Sequence, residues 1–133
     1  MKILENKSLF KIFFWCWIVF IIILTIIPWT SDPKLSLPKA GIEFRLDYIG
    51  HFGLFFILFI FYYFWKLYLT AEINLMHLTI FIAGSIFFAY LDEYMQGFLP
   101  SRKYNIIDFY YNASGIISGY ICYLILNLFR IKK

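Results

Sequence analysis

Charge is what this sequence most lacks: Asp, Glu, Lys and Arg together make only 15% of its 133 residues, well under the share usual for a water-facing globular domain. Hydrophobic residues make 62%, aromatics 24%, and the mean hydropathy is +0.75, which excludes an ordinary soluble domain and puts the chain in the membrane class. Basic runs are missing as well. The net charge of +4 comes from lysines and arginines near segment ends, which suits topology and lipid headgroups and excludes a nucleic-acid partner. Cysteine is scarce: Cys16 and Cys122 stand without a CxxC or a His–Cys spacing, so they read as structural thiols rather than zinc ligands. No nucleophilic-serine, phosphate-loop or zinc motif occurs, and nothing calls for a cofactor. The N-terminal apolar run follows Lys2, Lys7 and Lys11 but closes on Ile27, Pro28 and Trp29, without a small-residue cleavage site, so an uncleaved signal anchor is expected rather than a secretory signal.

What is present is apolar length. A helix needs about 20 apolar residues to cross a lipid core, and the charge-poor segments 12–28, 48–65, 73–91 and 109–129 approach that length. The sequence predicts an all-α integral membrane protein, one domain over 1–133, with four transmembrane helices arranged as two helical hairpins. Between the first two segments, residues 30–46 are polar and broken by Pro33 and Pro38, which predicts an exposed hairpin. Trp15, Trp17 and Trp29 read as interfacial anchors or packing residues, and the aromatic run 55–65 as lipid contact and packing. Glu72, Asn74 and His77 read as interfacial solvation, with Asn74 a candidate N-cap.

Against this background, residues 90–119 are conspicuously polar. On a helix Asp92 and Glu93 lie four and three residues before Gln96, so all three share one side of the third segment's end. Asp108, Asn112, Gly115 and Gly119 step by four, three and four, one stripe down the fourth segment, and the two glycines are expected to face another helix. The connection 97–107 carries Pro100, which favours a turn and lets Arg102 fold back over both helix ends. At the start of the second segment Asp47 and His51 share a face, so Asp47 is placed to orient the imidazole. Gly50 and Gly53 leave room for a helix or a substrate. Together Asp47, His51, Asp92, Glu93, Gln96, Arg102, Asp108 and Asn112 are expected to form one polar cup, with Arg102 its principal cation.

If both termini share a side, that side holds Lys2, Lys7, Lys11, Lys66, Arg130, Lys132 and Lys133, against Lys34, Lys39, Arg45, Arg102 and Lys103 opposite. The positive-inside rule then predicts both termini in the cytoplasm, a multi-pass protein of the cytoplasmic membrane, and an extracytoplasmic cup.

Asp47-x-x-x-His51, then Asp92-Glu93-x-x-Gln96, Pro100-x-Arg102 and Asp108-x-x-x-Asn112-x-x-Gly115-x-x-x-Gly119 resemble, in order and spacing, the VanZ-like family of small bacterial membrane proteins over 47–119. One position departs: the family commonly has a lysine after the first aspartate, where this chain has Tyr48, with Arg45 nearby as a substitute cation. The resemblance implies an association with sensitivity to teicoplanin-type glycopeptide antibiotics. Three function classes follow. The cup binds or remodels the headgroup of a membrane lipid, a lipid-linked cell-wall intermediate or a lipoglycopeptide, with Arg102 and His51 meeting phosphate. Alternatively, the protein is a non-catalytic accessory or structural subunit whose polar stripe serves a membrane-protein partner. As a third class it is a membrane-embedded hydrolase or transferase acting on a lipid headgroup, using a carboxylate or His51 as base and a divalent metal held by Asp47, Asp92, Glu93 and Asp108.

Overall fold

In lipid every backbone N–H and C=O must be satisfied within the chain, and runs of Ile, Leu and Phe do this as helices. Among the described residues the computed structural model has four long ones: α1 (Lys2–Ile26), α2 (Asp47–Tyr62), α3 (Leu75–Gln96) and α4 (Ile106–Ile131). The structure describes residues 2–27, 34–37, 42–67, 75–100, 102 and 104–131, and among them the side chains of 8–27, 45–66, 75–100, 102 and 104–126. Trp29, Asp32, Pro33, Pro38, Lys39, Glu72, Asn74, Lys103, Lys132 and Lys133 lie outside the described residues, as do the side chains of Lys2, Lys7, Lys34, Glu43 and Arg130.

The stretches Ser8–Ile26, Asp47–Lys66, Leu75–Gln96 and Ile106–Leu126 are each long and apolar enough to cross a membrane, as a multi-pass membrane protein requires. Their outward side chains, among them Ile23, Phe87, Ile117 and Ile121, are large, apolar and exposed, a surface suited to lipid rather than water. The fold refines the sequence reading at three places. Within the anticipated 30–46 hairpin, β1 (Lys34–Leu37) and β2 (Ile42–Arg45) pair antiparallel, with Lys34 opposite Arg45 and Leu37 opposite Ile42. The third helix continues five residues past the expected end at 91, and the fourth starts three before 109, so the polar groups of both ends lie inside helix. Past Tyr62 the second span continues as a π-helical turn, Tyr63–Leu67.

The most extensive helix contact joins α2 to α4, which are not consecutive in sequence. Two glycines make it possible. A methyl group at Gly115 would collide with the carbonyl oxygen of Phe52 and come within 3.0 Å of the Phe56 nitrogen, and one at Gly119 would stand 2.7 Å from the Phe59 Cβ. Such small residues let backbones approach where apolar side chains alone give little drive to associate in lipid. Gly50 and Gly53, by contrast, have nothing within 4 Å of an added Cβ among the described residues.

The core lies along this seam. Phe55, Phe59, Ile21 and Ile116 are fully buried, and Tyr62 stacks on Phe81 with ring centroids 3.6 Å apart. The Trp17 indole N–H donates to the Leu54 carbonyl at 2.8 Å, tying α1 to α2. Cys16 and Cys122 are both free thiols.

Candidate functional site

The ends of α1 and α3 meet the starts of α2 and α4, and the buried polar side chains other than Ser85 gather there: Thr25 from α1, Asp92, Glu93 and Gln96 from α3, Asp108 and Asn112 from α4. Helical spacing explains each set locally; the Gly115 and Gly119 approach explains how α4 brings its set to α2.

At the centre, Glu93 and Asn112 are both 0% exposed. The Asn112 Nδ2 donates to Glu93 Oε1 at 3.0 Å, and His51 Nδ1 donates to Asn112 Oδ1 at 3.1 Å. The same His51 nitrogen lies 3.3 Å from Glu93 Oε1, while His51 Nε2 lies 3.7 Å from Asp108 Oδ2. Glu93 Oε2 is buried with no hydrogen-bond partner among the described residues. Buried polar atoms left in that state are uncommon and expensive.

Toward α1, Asp92 Oδ2 accepts from Gln96 Nε2 at 3.1 Å, and the Thr25 hydroxyl bonds Asp92 Oδ1 while also lying 2.9 Å from its own helix carbonyl at Ile21. Gln96 Oε1 in turn accepts from Arg102 Nη1 at 2.5 Å. Toward the ribbon, Arg45 holds Asp47 with both its Nε, at 3.1 Å, and its Nη2, and lies 3.9 Å from Asp108 Oδ2. Its guanidinium sits 5.2 Å from the Tyr48 ring centroid, and Tyr48 stacks on Tyr111 at 4.4 Å, so the aromatic pair forms a platform beneath the cation. Asn105 caps α4, accepting from the Ile107 N–H at 3.1 Å, and donates to Asp108 Oδ1 at 2.8 Å.

The structure thus brings Asp47, His51, Asp92, Glu93, Gln96, Arg102, Asp108 and Asn112 to one end of the bundle, with two expectations corrected. Asp47 is engaged by Arg45, and His51 bonds across to α3 and α4 instead of being oriented by Asp47. Arg102 is not the principal ion-pair partner among the described residues: its hydrogen bond goes to Gln96, which in turn donates to Asp92, whereas Arg45 pairs directly with Asp47 and Asp108. A side chain placed on a connection can choose a neutral partner, and the ribbon delivers Arg45 to the first turn of α2. Thr25 and Asn105 escaped the sequence reading altogether. Asn105 carried a signal, standing immediately before Ile106 with an aspartate three residues on. Thr25 was the one hydroxyl in its apolar run, a weak signal because threonine often bonds its own helix.

Among the described residues two ligand sets could hold a metal ion: Asp47, His51 and Asp108, and His51, Asp92 and Glu93, the donor atoms of each lying within 4.8 Å of one another. On the α3 side an open pocket of about 540 Å³ is lined by Tyr90, Tyr94, Gly97, Phe98 and Tyr104. No family model, curated protein or solved structure matches this chain.

Proposed function

We propose that this is a VanZ-like protein of the cytoplasmic membrane, its helices paired as two hairpins with both termini cytoplasmic, whose outward cup receives the phosphate-bearing headgroup of a lipid or lipid-linked envelope intermediate. The observation that carries the reading is the gathering of ionisable side chains from α2, α3 and α4 at one end of an otherwise apolar bundle, with Arg45 and Arg102 only part-buried at its edge. Ionisable groups at a membrane are costly and are kept where they serve a site. A guanidinium presents a planar fork that matches phosphate, and the carboxylates beside it accept from hydroxyl or amine groups of the same headgroup. The aromatic pocket lined by Tyr90, Tyr94, Phe98 and Tyr104 suits the adjoining chain of the lipid. The order and spacing of the motif residues support the VanZ-like reading, and with it an effect on teicoplanin sensitivity.

A structural reading draws on a different observation: Asn112, Glu93 and His51 already satisfy much of one another. One experiment weighs both. Purified protein and its Arg45→Ala and Arg102→Ala variants are offered a polyprenyl phosphate, phosphatidylglycerol and diacylglycerol, and retained lipid is read by native mass spectrometry beside the melting temperature. Retention of the phosphate-bearing lipids by the parent, lost in the variants at unchanged melting temperature, is the expected result. Equal retention of diacylglycerol, or loss of stability alone, leaves the cup a structural cluster.

A further inference from the structure

We propose that His51, Asp92 and Glu93 form a divalent cation site at the junction of α2 and α3, for a first-row ion of the Mn²⁺ to Zn²⁺ series. Three observations carry this beyond an acidic cluster. Their donor atoms lie within 4.8 Å of one another, close to the span available to ligands of one ion. Glu93 Oε2 is buried without a hydrogen-bond partner among the described residues, so the cluster holds an oxygen with free lone pairs and no contact to water. And no lysine or arginine makes a direct ion pair with Asp92 or Glu93 among the described residues, Arg102 ending on Gln96 and Arg45 on Asp47 and Asp108. Two buried carboxylates with one divalent ion and a neutral imidazole sum to no net charge, which is how buried charge is tolerated. The alternative set of Asp47, His51 and Asp108 is weaker, because Arg45 already compensates it.

The surroundings fit ligation. His51 Nδ1 is the nitrogen turned toward Glu93, leaving Nε2 toward the Asp108 carboxylate, the kind of outer partner that fixes a ligating imidazole. Asn112 holds Glu93 Oε1, while Thr25 and Gln96 hold the two oxygens of Asp92, each of which keeps a lone pair. On loading, Nδ1 releases its proton to solvent and gives up its bond to Asn112 Oδ1, while Asn112 Nδ2 keeps its hold on Glu93. One imidazole with two carboxylates favours an ion that accepts both donor types over Mg²⁺.

The test uses the full chain in detergent, stripped with chelator and titrated with Mn²⁺ alone. No phospholipid is added, so failure here leaves the headgroup reading standing, and failure of headgroup retention leaves this site standing. Electron paramagnetic resonance is expected to show one saturable Mn²⁺ per chain, with a nitrogen coupling from the imidazole in the pulsed spectrum. Zn²⁺ is expected to displace it and equimolar Mg²⁺ to leave it bound. Glu93→Gln and His51→Ala should each weaken binding by roughly 100-fold, the scale of losing one metal-site partner, while Gly84→Ala, with nothing among the described residues within 4 Å of the new methyl, should bind as the parent does. Absence of saturable binding up to millimolar Mn²⁺, or bound Mn²⁺ without nitrogen coupling in the parent chain, overturns the proposal whether or not the variants fold.

Discussion

Asn112 on α4 donates to Glu93 on α3 at 3.0 Å while accepting from His51 on α2 at 3.1 Å, so a single fully buried carboxamide ties three helices together. No other uncharged side chain of its size offers a donor and an acceptor from one planar group at this position.

Replacing Asn112 with leucine, which keeps the same branched heavy-atom skeleton, removes both bonds and leaves Glu93 buried beside one fewer donor. The expected loss is about 3 kcal/mol, between that of an unsatisfied hydrogen bond and that of a broken buried charge pair. Thermal unfolding in detergent measures it. An unchanged melting temperature would mean that the three helices do not depend on this link.

Gly115 and Gly84 make a matched pair for the helix seam. At Gly115 even a methyl meets the Phe52 carbonyl, whereas at Gly84 it meets nothing within 4 Å among the described residues. Gly115→Ala should lower stability by about 1–3 kcal/mol as α2 and α4 are pushed apart, and Gly84→Ala should be neutral or mildly stabilising through helix propensity. Equal melting temperatures for the two variants would refute the close approach.

The two arginines should respond differently to lysine. Arg45 uses two nitrogens on Asp47, a geometry lysine cannot reproduce, while Arg102 makes one bond to a neutral amide oxygen. Arg45→Lys is therefore expected to cost about 1 kcal/mol in this part-exposed setting and to reduce phosphate-lipid retention more than Arg102→Lys does. The reverse order, measured by melting and by native mass spectrometry, would restore Arg102 as the principal cation.

Asn105→Ala should cost about 1 kcal/mol, the usual loss for a helix N-cap, and free Asp108 from its donor. Asn105→Asp should keep the cap and recover stability while setting a second carboxylate against Asp108. Chemical denaturation of the three proteins in mild detergent separates the two roles; equal loss in both variants would show that the cap is not what matters.

Much of this was legible from periodicity. Apolar run lengths marked the four helices, and the four-and-three spacing from Asp108 to Gly119 put the polar and small residues of α4 on one stripe. Spacing along one helix carries no information about which neighbour it meets, so the α2 partner of Gly115 and Gly119, and the turn of His51 toward Asn112 instead of Asp47, had to come from the structure. The choice between Arg45 and Arg102 was equally hidden. Both lie off the helices, where only the path of the ribbon and the connection decides which guanidinium reaches a carboxylate. Thr25 escaped because a lone hydroxyl in an apolar run looks the same whether it bonds its own turn or another helix.

The α2–α4 seam also sets an order of assembly. A chain made from its N-terminus delivers α1, α2 and α3 to the lipid before α4 exists, so His51, Asp92 and Glu93 enter without Asn112, and Phe52 and Phe59 without the glycines that fit against them. Arrival of the fourth span is then the step that both closes the polar centre and locks the bundle. Nascent chains halted short of it carry polar groups in lipid without their final partner, the condition under which membrane quality control would be expected to recognise them.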